Sequence, residues 1–343
     1  MMRTILIVSV LLLASALIGP PALSGRQRVE ALDIYFIDVE GGQATLFVTP
    51  SGQSMLIDTG NPGDRDLNRV LDTIKQAGLT KLDYLLVTHY HGDHVGNAAA
   101  IAATIPVGTF VDHGESVETT DGAKALYADY VKGRERGKHL LAKPGDKLPV
   151  RDLDVTIVTA GGNHITRALS GRAAPNALCA GFTPKDPDPS ENARSVGSMI
   201  AFGRFRMIDL GDLTWNKEQE LVCPNNVLGS VDVYLTTHHG LAQSGAPVIV
   251  QALKPRVAIM NNGPRKGGEL APMQTIKASP GLEDLWQLHV SLNAPEANMP
   301  GPMIANLDES AAHYLKLSAQ RDGSFVVTNS RTNESKRYQA AAR

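Results

Sequence analysis

The stretch that decides the fold is Leu85-Leu86-Val87-Thr88-His89-Tyr90-His91-Gly92-Asp93-His94. Its first four residues are apolar or β-branched and predict a buried strand. This strand runs directly into three histidines and an aspartate. Because side chains two apart on an extended segment point the same way, we expect His89 and His91 on one side. A turn at the following glycine would bring Asp93 and His94 to the same place.

The side chains at the end of this predicted strand indicate a metal site. Imidazole nitrogens and a carboxylate suit zinc, and Asp93 would also accept a harder cation such as manganese. A single histidine in a protein core is usually a hydrogen-bonded packing residue. Here three of the chain's ten histidines lie where a strand meets a loop, and this concentration favours metal ligation.

Two motifs together resemble those of the metallo-β-lactamase superfamily. Residues 89–94 have the form His-x-His-x-Asp-His, and Leu56-Ile57-Asp58-Thr59-Gly60 lies upstream at the usual spacing. The resemblance implies an α/β fold, namely an αββα sandwich with the metal site at one edge of its two sheets. It also implies two divalent metal ions, zinc or manganese. Asp58 would then lie beside the site, in contact with a ligand or with the substrate.

The hydrophobic pattern is consistent with such a fold. Apolar runs predict strands, and apolar residues three and four apart predict helices. The predicted strands are 32–39, 44–49, 54–57, 84–88, 153–159, 231–237 and 256–260, with hairpins at 198–210 and 316–327. The predicted helices are 64–77, 97–104, 121–138, 216–222 and 247–253, and 161–188 is predicted to be a long loop. This order indicates a layered α/β structure, and we expect one hydrolase domain over residues 31–330.

Two later strands end at further candidate ligands. Asp212 follows a strand and a glycine, and a carboxylate between two cations reduces their mutual repulsion. Asp212 also matches the bridging aspartate of the superfamily, whereas Asp209 is expected to be a structural partner. His238 and His239 follow the strand 231–237. One of these two histidines should be a metal ligand and the other a neighbour of the ligands or of the substrate, and the sequence leaves the choice open.

The chain departs from the superfamily pattern at one place. A further histidine is expected between the first motif and Asp212, but Ser190-Glu191-Asn192-Ala193-Arg194-Ser195-Val196 occupies that place. This departure, with the opening sequence 36–44, resembles the competence-protein branch of the superfamily. His164 is a candidate for the missing ligand, Asn192 stands at the expected position, and His113 is a candidate pocket residue. His139, His289 and His313 are not assigned to the site.

The N-terminus has the pattern of a signal peptide. A basic start, Met1-Met2-Arg3, precedes an apolar run over 4–19, and small residues allow cleavage after Ser24. A membrane anchor is the alternative, but the run is short for a bilayer span. We therefore expect residues 1–24 to be removed, a secreted or periplasmic protein, and no stable membrane insertion afterwards. Cys179 and Cys223 are the only cysteines, and the sequence leaves open whether they pair.

The resemblance implies a secreted metal-dependent hydrolase that uses a metal-activated water. Asp93 and Asp212 are the expected catalytic residues, and all seven candidate ligands (His89, His91, Asp93, His94, Asp212, His238 and His239) should surround the two ions. The competence-like features favour a phosphodiester substrate, for which Arg194, Lys217 and Arg265 are candidate phosphate contacts. A β-lactam or lactone hydrolase is the alternative, followed by a non-catalytic module that keeps its metal for folding.

The formal net charge of −2 gives no sign of a polyanion-binding surface over the whole chain. Nucleic acid stays open as a substrate because a local basic rim would suffice. A small-molecule substrate is equally compatible with the sequence, and no oligomeric state follows from it.

Overall fold

The computed structural model describes residues 30–310 and 312–341. The predicted signal peptide, residues 1–24, lies outside these ranges. In chain order the strands are β1 (Leu32–Phe36), β2 (Thr45–Val48), β3 (Ser54–Ile57), β4 (Leu82–Leu86), β5 (Val107–Asp112), β6 (Lys138–Leu141), β7 (Lys147–Leu148), β8 (Asp154–Ala160), β9 (Asn163–His164), β10 (Ala174–Pro175), β11 (Gly197–Phe202), β12 (Phe205–Asp209), β13 (Asn225–Asn226), β14 (Val233–Leu235), β15 (Val257–Met260), β16 (Asp284–His289), β17 (Ile304–Asn306), β18 (Leu315–Ala319), β19 (Phe325–Asn329) and β20 (Ser335–Tyr338).

The α-helices connect these strands and cover the outer faces of the sheets. They are α1 (Asp64–Gln76), α2 (Gly92–Val95), α3 (Ala98–Thr104), α4 (Asp121–Arg134), α5 (Trp215–Glu220), α6 (Pro247–Leu253) and α7 (Leu270–Lys277). Short 3-10 helices lie at Ala177–Gly181, Glu191–Arg194, Thr237–Gly240, Pro295–Ala297 and Gly301–Met303.

The first sheet has the strand order β20-β19-β18-β1-β2-β3-β4-β5-β6. Strands β1 to β3 pair antiparallel and are joined by short connections without helices, whereas β3 to β6 pair parallel because helices cross between them. The second sheet has the order β17-β16-β15-β14-β12-β11-β8-β7, with β9 beside β8. Its strands β12, β14, β15, β16 and β17 pair parallel.

The two sheets pack face to face and the helices form the outer layers. The core between the sheets includes Phe36 and Ile57 from the first sheet and Phe205 and Leu235 from the second. A separate cluster joins the first sheet to α1, α3 and α4, and another joins the second sheet to α5, α6 and α7. This arrangement confirms the predicted αββα sandwich.

Most predicted elements lie where the sequence pattern placed them. The bounds of β3 and α6 coincide with the predictions, and the first hairpin turns at Gly203 and Arg204, between β11 and β12. The helix predicted over 121–138 was too long, because Lys138–Leu141 pairs with β5 as an edge strand. The patterns missed β5, β16 and α7. The first sheet also continues beyond residue 330 through β20.

The segment 161–188 is a long connection that contains only β9, β10 and one 3-10 helix. A disulfide between Cys179 and Cys223 ties it to the end of α5, with a Cα–Cα distance of 5.7 Å. The two cysteines therefore do pair. Among the helices of residues 30–310 and 312–341, no helix is both long and apolar enough to cross a bilayer.

Candidate metal centre

The candidate ligands lie beyond the carboxyl ends of one strand of the first sheet and two neighbouring strands of the second sheet. His89, His91, Asp93 and His94 follow β4, and Asp212 follows β12. The 3-10 helix Thr237–Gly240, which carries the other two histidines, follows β14. Because these strand ends meet at one edge of the sandwich, all seven residues come together. We call His89, His91, Asp93, His94, Asp212, His238 and His239 the metal centre.

One half of the metal centre is formed by His89, His91 and His238 around Asp212. The Nε2 atom of His89 lies 3.1 Å from Nδ1 of His91. Oδ2 of Asp212 lies 3.9 Å from Nε2 of His89 and 3.3 Å from Nε2 of His238. These atoms can contribute three imidazole nitrogens and one carboxylate oxygen to a cation.

The other half is formed by Asp93, His94 and His239, and its two histidines also contact Asp212. The Nε2 atoms of His94 and His239 are 3.2 Å apart, and Oδ2 of Asp93 lies 3.2 and 3.3 Å from them. Oδ2 of Asp212 lies 3.2 Å from His94, and its Oδ1 lies 3.3 Å from His239. One ligand atom from each of these four residues falls within 4.8 Å of all the others.

Both His238 and His239 face Asp212 because the backbone turns sharply at this point. Their φ angles are 55° and 56°, which is the left-handed region that L residues seldom adopt. In an extended strand, consecutive side chains would point to opposite faces. The two histidines instead approach different oxygens of one carboxylate, so each can serve a different half of the metal centre.

The spacing of these atoms fits cation ligation. Ligands about 2.1 Å from a tetrahedral zinc ion lie about 3.3 to 3.4 Å from one another. The close N···N and N···O separations across the metal centre are 3.1 to 3.3 Å. His89, His94 and His239 have no exposed surface, so bulk water does not solvate these closely spaced ligand atoms. The donor set therefore fits divalent metal ions.

The Nδ1 atoms of three histidines face away from the metal centre, and each is fixed by a neighbouring side chain. Nδ1 of His94 donates to Asp58 at 2.7 Å. Nδ1 of His89 lies 3.0 Å from the Thr88 hydroxyl, and Nδ1 of His238 lies 3.2 Å from the Ser244 hydroxyl. Both hydroxyls donate onward, Thr88 to Asp58 and Ser244 to the carbonyl of Leu213. Each hydroxyl therefore accepts from the ring, which leaves the Nε2 lone pair directed at the metal centre.

The remaining two histidines differ from this pattern. His91 bonds Glu118 through Nε2, at 3.1 Å, and presents Nδ1 to the metal centre. Nδ1 of His239 is buried and has no hydrogen-bond partner among the described residues. Four of the five rings at the metal centre are therefore held in orientation from behind.

Opposite charges balance within the buried metal centre. Burial alone would raise the pKa of Asp212, but the charges of His239 and His94 hold this pKa well below its usual range. Burial would lower the pKa of His94, but the carboxylates of Asp212, Asp93 and Asp58 hold it well above its usual range. Burial and the charge of His94 hold the pKa of His89 well below its usual range. A cation at His94 must displace a proton, so acid competes with binding.

Asp58 and Asp209 are buried next to the metal centre and do not enter it. Asp58 accepts hydrogen bonds from the backbone N–H and hydroxyl of Thr88 as well as from His94. Asp209 accepts from Gln43 Nε2 at 2.8 Å, and burial raises its pKa to about 7. Gln43 also donates its backbone N–H to the Asp93 carbonyl. Gln43 therefore connects the segment after β4 with β12.

The other candidate residues lie outside the metal centre. His113 donates to the buried carboxylate of Glu191 at 2.8 Å. Asn192 is buried in the 3-10 helix Glu191–Arg194, and its Oδ1 has no hydrogen-bond partner among the described residues. His164 pairs with Glu220 at 3.1 Å on β9, and no described contact joins it to the metal centre. The structure therefore does not bring His164 into the place of the missing histidine.

The three basic residues considered as phosphate contacts bind other groups. Arg194 donates to the carbonyl of Gly161, Lys217 pairs with Glu220, and Arg265 pairs with Glu309. A different residue, Lys266, brings its ammonium group into contact with Oδ2 of Asp93. Its side chain is 40% exposed, so the cation also faces solvent.

Lys266 reaches this position through the loop that follows β15. Gly263 donates its N–H to the Lys266 carbonyl, and Gly268 donates its N–H to the carbonyl of His239. The loop is thereby folded back onto the metal centre. Sequence reasoning missed Lys266, although its place in a glycine-rich segment just after a strand was an available signal.

Comparison with known proteins agrees with this geometry. The family model described as Metallo-beta-lactamase superfamily matches residues 37–173, which include the first four ligands. Residues 37–173 thus match the metallo-β-lactamase superfamily. The earlier resemblance to the superfamily is therefore confirmed.

Within the metallo-β-lactamase superfamily, this chain is similar to proteins of the competence-like branch. It is 27% identical over 263 residues to ComE operon protein 3 of Bacillus subtilis, which covers 71% of this chain and 29% of the relative. It is 24% identical to Recombination protein 2 of Haemophilus influenzae, over 66% of this chain and 24% of the relative.

A third match is shorter than these two. A UPF0173 metal-dependent hydrolase of Cupriavidus metallidurans is 38% identical over 88 residues, which is 24% of this chain and 27% of the relative. Each of the three matches thus spans less than a third of the relative. The similarities are thus to the metallo-β-lactamase superfamily and, within it, to a metal-dependent hydrolase.

Proposed function

We propose that this chain hydrolyses a phosphodiester at the metal centre with the help of two divalent cations. The observation that carries the proposal is the ammonium group of Lys266 beside a cluster of five histidines and two aspartates. A phosphodiester is anionic before reaction and gains negative charge in the transition state. A fixed, partly exposed cation next to the ligands would bind both states.

The seven ligand residues would hold the cations in two groups. His89, His91 and His238 would hold one cation, Asp93, His94 and His239 would hold the other, and Asp212 would bridge them. Bound zinc or manganese ions supply an activated water near neutral pH and stabilise developing negative charge. The bridging role of Asp212 is supported by its two oxygens, which face different histidines.

The protein's own groups would bind and orient the reactants. Asp58, Thr88 and Ser244 hold Nδ1 of His94, His89 and His238, so the rings are already oriented with Nε2 toward the cations. At His94 the cation would take the place of a proton. Lys266 would bind a nonbridging phosphate oxygen and exchange its contact with Asp93 for one with the substrate. Because the metal centre is buried, these charges act in a medium of low dielectric constant.

Nucleic acid is one phosphodiester substrate that fits the proposal, and a small molecule is the other. The name of Recombination protein 2 associates that relative with nucleic acid. The net charge of −2 in this chain means that any contact with a polyanion would be local. Lys266 would provide such a local contact with the polyanion. We propose nucleic acid as a candidate partner and substrate on these grounds.

We also propose that the protein works outside the cytosol. The apolar run after Arg3 has the pattern of a secretory signal, and Cys179 and Cys223 form a disulfide in the folded chain. Disulfides persist mainly in oxidising compartments. Fractionation of the producing cell would test this location, and a protein retained in the cytosol with reduced cysteines would contradict it.

A substrate panel tests the proposed reaction. The metal-loaded chain should hydrolyse bis(p-nitrophenyl) phosphate, and Asp212→Ala should abolish turnover and lower the bound metal. Asp83→Asn is a suitable control because Asp83 lies at the opposite end of β4. Lys266→Ala should raise KM for the phosphodiester more than it lowers kcat. Hydrolysis of a cephalosporin or a lactone without hydrolysis of the phosphodiester would overturn the proposed substrate class.

A further inference from the structure

Glu118 lies on the connection between β5 and α4, beside the metal centre. Its Oε1 atom is 3.1 Å from Nε2 of His91. The side chains are largely shielded, with 21% of Glu118 and 30% of His91 exposed. A carboxylate only accepts hydrogen bonds, so Nε2 of His91 carries the proton.

This bond determines which nitrogen of His91 can bind a cation. A neutral imidazole has one protonated nitrogen and one lone pair. With the proton on Nε2, the lone pair is on Nδ1, which lies 3.1 Å from Nε2 of His89. The ring therefore presents its lone pair to the half of the metal centre that contains His89.

Glu118 is itself held by Glu191. The backbone N–H of Glu191 donates to Oε1 of Glu118 at 3.3 Å. The Glu191 carboxylate accepts from the Val117 N–H at 2.7 Å and from the Ser116 hydroxyl at 3.2 Å. Burial alone would raise the pKa of Glu191, but the hydrogen bond and charge of His113 hold it below its usual value. A buried charged carboxylate thus fixes the segment that carries Glu118.

Glu191 lies in the segment that departs from the superfamily pattern. The 3-10 helix Glu191–Arg194 occupies the place where the superfamily resemblance led us to expect another histidine. The segment supplies no imidazole to the metal centre. It instead anchors the backbone of Tyr90, whose N–H donates to Glu191 at 3.2 Å, between His89 and His91.

We infer that Glu118 is a positioning residue that fixes the tautomer of His91 and thereby sets the affinity of the metal centre for one divalent cation. The inference rests on the proposed metal ligation and is independent of the substrate. Partners of this kind contribute about 10- to 100-fold to metal affinity. Glu118 contacts His91 and is not one of the seven ligand residues, so it acts through His91.

The chain contains a matched control for this interaction. Glu220 binds Nδ1 of His164 at the same distance, 3.1 Å, and these side chains are 34% and 29% exposed. His164 has no described contact with the metal centre. Glu220→Ala removes a similar carboxylate–histidine pair without altering any ligand, so it reports the general effect of losing such a pair.

The test is a cobalt(II) titration of the metal-free full chain, without substrate. Glu118→Ala should weaken one of the two binding steps by about 10- to 100-fold. Glu118→Gln should weaken it less, because the amide oxygen still accepts from Nε2. Glu220→Ala should match the native protein. Nitrogen NMR of the imidazoles should show the proton of His91 leaving Nε2 in Glu118→Ala alone.

Equal cobalt affinities for Glu118→Ala and the native protein would overturn the inference, as would an equal loss in Glu220→Ala. If Glu118→Ala does not fold, Glu118→Leu takes its place in the same comparison, because leucine fills similar space and accepts no hydrogen bond. Because affinity is measured without turnover, a failed hydrolysis assay would count against the proposed substrate and leave this result unaffected.

Discussion

Asp58→Asn is the sharpest test of how the metal centre is organised. Oδ2 of Asp58 lies 2.7 Å from Nδ1 of His94 and accepts from the Thr88 hydroxyl at the same distance. Asparagine has nearly the same shape but replaces one oxygen with an NH₂ donor. Placed against His94, this donor favours a lone pair on Nδ1 and moves the ring proton to Nε2.

The proton would then occupy the nitrogen that faces Asp212 and His239. Loss of such an orienting partner costs about 10- to 100-fold in metal affinity, or about 1.4 to 2.8 kcal/mol. The fold should survive, because asparagine can still accept the Thr88 N–H that Oδ1 accepts at 2.7 Å. We therefore expect weaker cation binding with native secondary structure.

The assay is competition between the metal-free protein and a chelator of known affinity, with circular dichroism to check folding. Asp112→Asn is the control, because Asp112 is also fully buried and accepts from a histidine, His139, at 3.0 Å. His139 lies on the edge strand β6, away from the metal centre. Native affinity in a folded Asp58→Asn protein would refute the tautomer argument.

Three further changes test other parts of the structure. Gly42→Ala should weaken cation binding in the same competition assay, because its Cβ would lie 2.4 Å from the Asp93 carbonyl oxygen. Replacement of Cys179 and Cys223 by serine should lower the free energy of urea unfolding by up to about 4 kcal/mol, since the disulfide spans 44 residues. Burial raises the pKa of Asp209 from 3.8 to about 7, so the folded chain keeps a proton that the unfolded chain releases. The stabilisation that this proton gives is complete below pH 3.8 and is lost as the pH rises to about 7. The free energy of unfolding therefore falls over that interval, and it should fall less in Asp209→Asn.

Each of these three predictions has an outcome that contradicts it. Gly122→Ala controls for Gly42→Ala because a Cβ at Gly122 meets no heavy atom within 4 Å, and equal affinities in both variants would exclude the clash. A change in unfolding free energy below about 1 kcal/mol would show that the disulfide does not constrain the unfolded chain as expected. A native pH slope in Asp209→Asn would show that Asp209 is not protonated in the folded state.

The sequence predicted the elements whose patterns are local. The apolar residues of β3 and the helical spacing in α1 depend only on neighbouring positions. β5 was missed because Gly108 interrupts its apolar run, and this glycine is needed where a Cβ would lie 2.9 Å from the Asp83 carbonyl oxygen. β16 was missed because it contains Gln287 and His289, which are polar and yet fully buried.

The composition of the metal centre was more predictable than its geometry. The histidines after β4 share one short motif, so their convergence follows from local spacing. The sequence left open which of His238 and His239 is a ligand, because their orientation depends on positive φ angles at both residues. No residue type in that segment requires such angles. Arg265 and Lys266 are adjacent cations in the sequence, but the turn from Gly263 to Lys266 sends only the second toward Asp93.

The metal centre takes ligands from both sheets, and this has a consequence for how the protein matures. The segment after β4 supplies four donors, and the segments after β12 and β14 supply the other three. A chain in which only one sheet had formed would hold an incomplete set and bind cations weakly. High-affinity cation binding therefore requires that the two sheets have already packed against each other in register. Removal of the cations by a chelator should weaken the contact between the sheets before either sheet unfolds.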